Sequence, residues 1–431
     1  MSLKANRKNY IKGEIKKVTT QAELIHLINT IYSWKQESYG AVDENGDKRS
    51  FSEAQVKYFL SQLNVGTVFG PRWVNEKDND RYLDMTHRAM YKRFQVPKKS
   101  GGAREIHAPQ WDLKALLSCI NEMILAVHKP HHKAFGFADG KNVVDNAKLH
   151  VGKNYVYNID LQNFFHSFDL KRVKWGFFNP PFNFNDEREP LAYMLACLCT
   201  VDINGKKVLP QGSPASPSLT NVLCWRLDKR LNGLAKRFGA EYSRYADDIT
   251  FSSDHHIYKG KFLEELKRII HVEGLAINPK KTRLQLKDKR QVVTGLTVNK
   301  EVNVSRTYIG QIRNLLYRCE RYGVEKTAEE FVGEGELLEV SKTLYLSRHL
   351  EGKLNFLAMV KGKEDPTYQK LQKRFYTQFP FCKKQVDKIL EIWEVQGVDE
   401  AINYLENAEP SAKSMLNVID SFEFILVNFN E

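Results

Sequence analysis

The chain has 431 residues, of which 42% are hydrophobic and 27% charged, and this length predicts two or three subdomains rather than one compact core. Lys and Arg exceed Asp and Glu by a formal charge of +13, which favours a polyanionic partner such as nucleic acid. No apolar run approaches about 18 residues, and the basic N-terminus lacks an apolar core, so we expect neither a membrane span nor export.

Cysteine usage indicates a reducing compartment. The six cysteines include no CxxC pair, so neither a zinc site nor a disulfide framework is indicated, and we expect reduced core thiols in a cytoplasmic protein. They are Cys119, Cys197, Cys199, Cys224, Cys319 and Cys382.

Residues 1–85 carry scattered lysines and arginines and two amphipathic stretches, at 24–31 and 56–63. The spacing of their apolar positions predicts a helical N-terminal extension with a basic face. Such a face suits either solvation or contact with RNA.

The next segment predicts a β-hairpin with a basic tip. Ser100, Gly101 and Gly102 are a turn signal between two β-like runs, which places Lys98 and Arg104 near the tip. Arg presents a bidentate fork to phosphate oxygens and Lys a point charge, so the tip is a candidate triphosphate site. An ordinary solvated hairpin has the same composition.

Two helices are predicted between residues 113 and 153. Apolar residues at helical spacing over 113–127 indicate a core-facing helix that ends before Pro130. A second, polar helix carries Asn146 and His150, and Lys153 follows it. A lone histidine is more often structural than functional, so these residues alone leave packing and binding both open.

A buried strand is predicted to end at Asp160. The apolar residues of Tyr-Val-Tyr-Asn-Ile lead up to this carboxylate. Phe165 follows shortly after, where its ring can lie beneath a nucleotide sugar and exclude a 2′-hydroxyl. A core aromatic is the alternative interpretation.

Asn204 and Gly205 then predict a hairpin turn, followed by a rigid loop that contains Gln211. Gln211 lies where its amide can hydrogen-bond a nucleotide. Ser216 and Pro217 are suited to the N-cap and first position of the apolar helix that follows.

The sequence Tyr245-Ala246-Asp247-Asp248 lies between two β-prone runs and predicts two antiparallel strands joined by a tight turn. Adjacent carboxylates repel unless a cation lies between them, and hard oxygen ligands suit Mg²⁺. Together with Asp160 on a neighbouring strand, they can hold two metals about 4 Å apart, the arrangement that supports in-line phosphoryl displacement. Taken alone, the Asp pair also suits a solvated turn.

Beyond this turn, residues 262–270 predict an amphipathic helix, and Lys281 follows where it can reach a pyrophosphate or face solvent. Residues 291–305 alternate like a β-hairpin suited to contacting a primer strand.

Residues 306–380 are predicted to be helical and basic. Residues 381–431 contain four Lys, no Arg and ten Asp and Glu, which predicts an acidic helical appendage that packs on the core or on a protein partner.

From about residue 91 to 305 the chain resembles reverse transcriptases, because the family's motifs occur in order. They are the Lys98 to Arg104 fingertip, Asp160 with Phe165, Pro210-Gln211-Gly212, Tyr-Ala-Asp247-Asp248, Asn278 to Lys281 and a Val-Thr-Gly turn. Within that group, Asn146-Ala-Lys-Leu-His150 resembles the NAxxH motif, and Val293-Thr294-Gly295 the VTG motif, of bacterial retron reverse transcriptases.

The resemblance implies an α+β fold of the right-hand polymerase type, with a ferredoxin-like antiparallel palm sheet. The expected parts are a helical N-terminal extension (1–85), fingers and palm (86–305), a helical thumb (306–380) and an acidic helical C-terminal extension (381–431).

The resemblance also implies roles for individual residues. Asp160, Asp247, Asp248 and the backbone carbonyl of Leu161 would hold two Mg²⁺ ions. The nucleotide would contact Lys98, Arg104, Phe165, Gln211 and Lys281. Asn146, His150 and Lys153 would lie in the RNA-binding region, and Val293, Thr294 and Gly295 at the primer.

The implied function is RNA-directed DNA synthesis in a retron. The enzyme would start from a 2′-hydroxyl of its own structured non-coding RNA, use dNTPs and make a branched RNA–DNA hybrid. Anti-phage defence with an effector protein would follow. Two alternatives within the class are a group II intron-like enzyme and a template-independent polymerase of the abortive-infection kind, and the two retron motifs disfavour both. A third is a non-catalytic RNA-binding scaffold that sequesters an effector, which the intact carboxylate triad disfavours.

Overall fold

The computed structural model of the chain describes residues 3–39, 49–64, 90–97, 102–333 and 339–379, together with Ile392. It divides into two compact units, Met1–Thr294 and Gly295–Glu431. The division falls before residue 305, where the sequence predicts the end of the palm.

Three helices open the first unit, and the second and third contain the two predicted amphipathic stretches. They are α1 (Leu3–Glu14), α2 (Gln21–Tyr39) and α3 (Glu53–Asn64). Their apolar faces are buried in the same core as α4 (Trp111–Val127), to which the 113–127 periodicity points. Residues 40–48 and 65–85 of the predicted extension lie outside the described residues.

The fingertip hairpin is confirmed. β1 (Tyr91–Pro97) and β2 (Ala103–Pro109) pair antiparallel, with Val96 opposite Arg104. Lys98 and the rest of the tip, residues 98–101, lie outside the described residues.

The remaining elements of the first unit follow in chain order. They are α5 (Val143–Lys148), β3 (Tyr155–Asp160), α6 (Leu170–Phe178), α7 (Glu189–Cys199), β4 (Val201–Ile203), β5 (Lys206–Val208), α8 (Ser216–Leu223), α9 (Trp225–Arg237), β6 (Glu241–Tyr245), β7 (Asp248–Ser253), α10 (Lys261–Val272), β8 (Arg283–Leu286) and β9 (Val292–Val293).

Two local predictions in this region, a hairpin turn and a helix start, can be compared directly with the structure. The Asn204-Gly205 turn joins β4 to β5, and both residues have positive φ, as a two-residue hairpin requires. The predicted apolar helix starts one residue earlier than expected. Ala215 is its N-cap, and Ser216, the predicted N-cap, is its first residue. Cys224 interrupts it, so that α8 and α9 are separate helices.

A four-stranded antiparallel sheet forms the centre of the first unit, in the order β6-β7-β3-β8. It confirms the predicted antiparallel palm. Because side chains alternate along a strand, Ile249 and Phe251 of β7 lie on one face of the sheet. Asp248, Thr250 and Ser252 lie on the other, so the acidic turn shares a face with small polar residues.

The second unit is helical where it is described, apart from β10 (Leu296–Thr297). Its helices are α11 (Arg306–Tyr322), α12 (Val324–Val332), α13 (Glu339–Lys361) and α14 (Pro366–Gln378). Ser305 caps α11 and Asp365 caps α14, each accepting a hydrogen bond from a first-turn amide. Residues 380–431, apart from Ile392, lie outside the described part, so the acidic extension remains a prediction.

The five cysteines in the described part of the chain, Cys119, Cys197, Cys199, Cys224 and Cys319, are free thiols and buried, as expected. Cys382 lies outside it. Across the described residues, no helix combines the length and the apolar character that crossing a bilayer requires.

A buried ion pair joins α9 to the palm sheet. The Arg244 guanidinium donates to both carboxylate oxygens of Asp228, from Nε at 2.7 Å and from Nη2 at 2.7 Å, and both side chains are 0% exposed. Nη2 also donates to Oδ1 of Asn221, and Nη1 to the carbonyl of Ala246. The Tyr242 hydroxyl donates a further bond to Asp228. Every oxygen of this buried carboxylate therefore has a partner, as burial of a charge requires.

We expect Asp228→Ala to lower the free energy of unfolding by about 3–5 kcal/mol, because it leaves the Arg244 charge buried and uncompensated. Urea unfolding of the whole chain measures this. The matched control is Glu265→Ala, which removes a half-buried carboxylate paired with the exposed Arg268 and should leave the midpoint nearly unchanged. Equal effects of the two substitutions would contradict the importance of the buried pair.

Candidate active site at the end of the palm sheet

Three carboxylates meet where β3 and the β6–β7 hairpin end together. Asp160 and Asp248 occupy directly paired positions on neighbouring antiparallel strands. Asp247 lies in the two-residue turn between β6 and β7, which the Tyr245–Asp248 pair closes. Asp160 is buried, Asp247 half-buried and Asp248 exposed. The structure thus brings together the three acids that the sequence analysis selects.

The turn has an unusual backbone. Ala246 has a φ of 58°, in the left-handed region that residues with a side chain rarely adopt. The Arg244 guanidinium holds the Ala246 carbonyl at 3.1 Å. The Asp247 carbonyl accepts from the Leu161 amide at 3.0 Å. Hydrogen bonds from outside the turn therefore hold its backbone in place.

A glycine packs directly against this turn. A Cβ added to Gly136 would lie 2.5 Å from the backbone nitrogen of Ala246. The Gly136 carbonyl accepts from Nδ2 of Asn221, and the neighbouring Phe135 amide donates to the carbonyl of Arg244. The residues before α5 therefore pack against the backbone of the acidic turn, at a distance that only glycine allows.

Asp160 already has two partners from the chain beyond α10. Its Oδ2 accepts from Nζ of Lys281 at 2.9 Å and its Oδ1 from Nδ2 of Asn278 at 3.0 Å. The Asn278 amide donates to the Asp160 carbonyl at 2.8 Å. In this structure Lys281 therefore pairs with the carboxylate that the resemblance assigns to metal, and its contact with a pyrophosphate stays a prediction.

Burial and mutual repulsion act together on the carboxylates of the turn. Burial raises the pKa of Asp247, and the charge of Asp160 adds to this rise while Lys281 and Arg104 oppose it. Partial desolvation and the charges of Asp247 and Asp160 raise the pKa of Asp248 to about 6. Asp248 is in part exposed to solvent, which limits the effect of burial on its pKa but leaves the repulsion by Asp247 and Asp160. Hydrogen bonding to Asp160 raises the pKa of Lys281, which keeps it a cation.

The three carboxylates have the chemistry of a divalent-cation site. In the described part of the chain, however, no three His, Cys, Asp or Glu side chains are already arranged around a common metal position. Three carboxylates with hard oxygen atoms lie at one end of the sheet, and their repulsion is relieved when a cation binds. Lys281 supplies part of the neutralising charge now. A shift of Lys281 away from Asp160 would release an oxygen for metal.

The predicted nucleotide-contacting residues lie on three different elements. Arg104 is exposed on β2 and close enough for its charge to affect Asp247. Phe165 opens a one-turn 3₁₀ helix, and its ring lies 6.4 Å from that of Phe137. Gln211 is half-buried, and its carbonyl accepts from the amide of His107 on β2.

The structure buries Asn146 and His150, two of the three residues predicted to lie in the RNA-binding region. His150 is 0% exposed, and its two ring nitrogens hydrogen-bond Ser243 and Ser252, both at 2.7 Å. Asn146 is also buried, and its Nδ2 donates to the hydroxyl of Thr294 at 3.4 Å. Neither side chain is accessible to RNA here. They pack α5 and the loop after it onto the polar face of the sheet.

The remaining predicted residues are partly accessible or lie at the boundary of the units. Lys153 is half-buried, and its Nζ lies 2.7 Å from Oδ2 of Asp254. Val293 is buried, and Thr294 and Gly295 both have positive φ. The Asn146–Thr294 bond therefore connects the two short motifs on which the resemblance to retron enzymes depends.

Several residues of the site escape prediction from the sequence. Arg244 and Asp228 hold the backbone of the acidic turn, yet each looks like an ordinary polar residue. One available signal is the charge of Arg244 in the middle of a β-prone run. Another is Gly136 between two phenylalanines, where no turn is otherwise indicated.

Comparison with known proteins covers the same region. A sequence profile of the family described as reverse transcriptase (RNA-dependent DNA polymerase) matches residues 96–312, half of the chain. The Retron Ec86 reverse transcriptase of Escherichia coli is 32% identical over 302 residues, which cover 68% of this chain and 85% of that protein.

Two relatives come from Myxococcus xanthus. The Retron Mx65 reverse transcriptase is 36% identical over 53% of this chain and 56% of its own length. The Retron Mx162 reverse transcriptase is 33% identical over 60% of this chain and 57% of its own length. The chain thus spans a little over half the length of these two relatives.

The close approach of Gly136 predicts a stability change of known sign. Gly136→Ala should lower the free energy of unfolding by about 1–3 kcal/mol, because the new methyl group displaces the turn. Gly233→Ala is the matched control in α9, where a Cβ meets nothing within 4 Å. It should raise stability by about 0.5–1 kcal/mol. Urea unfolding distinguishes the two, and a neutral Gly136→Ala would contradict the packing.

The burial of His150 predicts a pH dependence. Burial lowers its pKa from the usual 6.5 to about 3, so the unfolded chain takes up the proton first as the pH falls. Stability is therefore fully present above about pH 6.5 and lost progressively toward pH 3. His150→Gln should lower the free energy of unfolding at neutral pH. It should also reduce the loss of this free energy with falling pH, by up to about 1.4 kcal/mol per pH unit.

Unfolding in urea, followed at a series of pH values, measures this slope. His26→Gln, an exposed position on α2, is the control and should leave the slope unchanged. An unaltered slope in His150→Gln would show that His150 is accessible to protons in the folded chain.

Proposed function

Because this chain belongs to the reverse transcriptases, and within them to the retron group, we propose that it is an RNA-directed DNA polymerase whose active site is the Asp160, Asp247 and Asp248 cluster. One observation carries the assignment of the site: Asp160 and Asp248 are paired across neighbouring strands, with Asp247 in the adjoining turn. Three carboxylates at one end of an antiparallel sheet suit phosphoryl transfer.

The reaction joins a primer hydroxyl to the α-phosphorus of a dNTP. A new P–O bond forms while the bond to the pyrophosphate leaving group breaks. Reverse transcriptases as a family use divalent metal ions, and we propose two Mg²⁺ ions held by Asp160, Asp247, Asp248 and the carbonyl of Leu161. When bound, they supply Lewis-acid stabilisation of the attacking and leaving oxygens.

The chain's own cations contribute in two places. Lys281 neutralises Asp160 in the structure described here, and its exposed, flexible side chain can move to a phosphate once the carboxylate is otherwise satisfied. Arg104, with Lys98 on the fingertip, would bind the triphosphate, where a guanidinium forms bidentate bonds. Their charges compensate the phosphate oxygens that the carboxylates repel.

Substrate selection would depend on the aromatic residues beside the site. Phe165, supported by Phe137 and Phe164, would lie beneath the nucleotide sugar and exclude a 2′-hydroxyl. Gln211 would contact the nucleotide, since its backbone is fixed by the bond to His107. Thr294 and Gly295 would contact the primer strand, beside the buried Val293.

The template is proposed to be a cognate structured non-coding RNA of a retron. Synthesis would start at one of its 2′-hydroxyls and give a branched RNA–DNA hybrid, for use in anti-phage defence with an effector protein. Lys153 is the most accessible of the three predicted RNA-contacting residues. Asn146 and His150 would act indirectly, by holding α5 on the sheet.

We expect Asp160→Asn and Asp247→Asn to reduce primer extension at least about a thousandfold, because each removes a charged ligand of the proposed Mg²⁺ ions. Affinity for the primer–template should change less than about threefold, since most binding comes from backbone phosphates and basic residues. The measurement is extension of a labelled DNA primer on an RNA template.

The control is Asp112→Asn, an exposed acid in the first turn of α4, which should keep full activity. Retained extension in Asp247→Asn would place the chemistry elsewhere.

The retron assignment is tested by the product. The chain is expressed with its flanking genomic DNA and purified, and its nucleic acid is run on a denaturing gel before and after RNase and debranching treatment. A discrete DNA that shifts on debranching is expected. Unbranched DNA would indicate another reverse transcriptase class, and RNA alone would indicate a non-catalytic scaffold.

A further inference from the structure

A groove with two exposed tryptophans lies on the first unit and shares no lining residue with the candidate active site. Its volume is about 810 Å³, within the range of ligand-binding clefts. It is lined by the residues at the end of α4, by α6 with the prolines that follow it, and by the junction of α8 and α9.

The two indole rings remain largely uncovered. Trp175 on α6 is 50% exposed and Trp225 at the start of α9 is 43% exposed. Phe178 contacts Trp175 edge-on, with ring centroids 4.9 Å apart, and Nζ of Lys229 lies 5.5 Å from the Trp225 ring. Half-buried Val222 and Leu223 also line the groove. Two large flat rings in one cleft offer stacking surfaces.

The groove carries an excess of positive charge. Its lining includes Lys129, Arg172 and Arg226 but a single acid, Glu273. The Glu273 side chain is only 2% exposed and accepts from Nε of Arg226 and Nη1 of Arg230, while its carbonyl accepts from Arg172. The acid is thus neutralised internally. Lys129 and the Arg226 side chain, which is 69% exposed, face solvent.

We propose that this groove binds a single-stranded segment of RNA, with nucleobases stacked on Trp175 and Trp225 and phosphates near Lys129 and Arg226. Aromatic rings beside Arg and Lys are the surface on which proteins bind unpaired bases, because stacking tolerates any base and the cations match the backbone. The inference rests on the proposed function only in taking RNA as the partner of this enzyme. An RNA held here would be bound outside the catalytic site.

The test measures binding of a fluorescently labelled single-stranded RNA of mixed sequence and about 12 nucleotides. The full chain is first saturated with an RNA–DNA hybrid that has a dideoxy-terminated primer, so that the polymerase cleft does not contribute. Trp175→Ala with Trp225→Ala should weaken binding by about tenfold or more. Trp175→Phe with Trp225→Phe keeps two stacking rings and should stay within about threefold of the unmodified chain.

Two further variants make the result specific. Trp111→Ala removes a tryptophan that is 68% exposed at the start of α4, outside the groove, and should bind RNA normally. Lys129→Ala should weaken binding and reduce the slope of log affinity against log salt by about one, as loss of one phosphate contact does. This variant decides the question by itself if the double alanine variant fails to fold.

Unchanged affinity in the double alanine variant, or an unchanged affinity and salt slope in Lys129→Ala, would overturn the proposal and leave the groove for a protein partner. Primer extension on a separate RNA template should be equal in all these variants and the unmodified chain. Failure of extension in the unmodified chain would instead refute the proposed function.

Discussion

The buried guanidinium of Arg244 fixes the backbone of the turn that carries Asp247 and Asp248. A charge inside a protein is tolerated only where its hydrogen bonds are satisfied, and here two oxygens of Asp228, the Asn221 side chain and the Ala246 carbonyl provide them. Because these acceptors come from α8, α9 and the turn itself, the guanidinium sets their relative positions. The left-handed backbone of Ala246 persists because it is held from outside.

That rigidity allows the site to keep like charges close together. Asp160, Asp247 and Asp248 repel one another, and this repulsion adds to burial in raising the pKa values of Asp247 and Asp248. Lys281 offsets part of the repulsion through its bond to Asp160. The fold therefore holds an arrangement of charges that is unfavourable by itself, and a bound cation makes it favourable. Pre-arranged charge of this kind is how enzymes stabilise phosphoryl transfer.

Local patterns in the sequence predict much of this fold. The β1–β2, β4–β5 and β6–β7 hairpins can be predicted because strand alternation and turn residues are properties of neighbouring positions, as with Asn204-Gly205. The carboxylate cluster can be predicted because each acid lies at the end of a predicted strand. Long-range partnerships cannot be predicted in this way. His150 bonds residues 93 and 102 positions away, and a single histidine on a polar helix does not by itself distinguish packing from RNA contact.

The most direct test of the site is a crystal structure of the chain with an RNA–DNA primer–template, a non-hydrolysable dNTP and Mn²⁺ in place of Mg²⁺, with anomalous scattering used to locate the metal. Two anomalous peaks are expected, about 4 Å apart, in contact with Asp160 and the Asp247–Asp248 turn. In the same structure, Lys281 should have left the Asp160 carboxylate. Manganese absent from the turn while the dNTP is bound elsewhere would contradict the assignment of these three carboxylates as the catalytic centre.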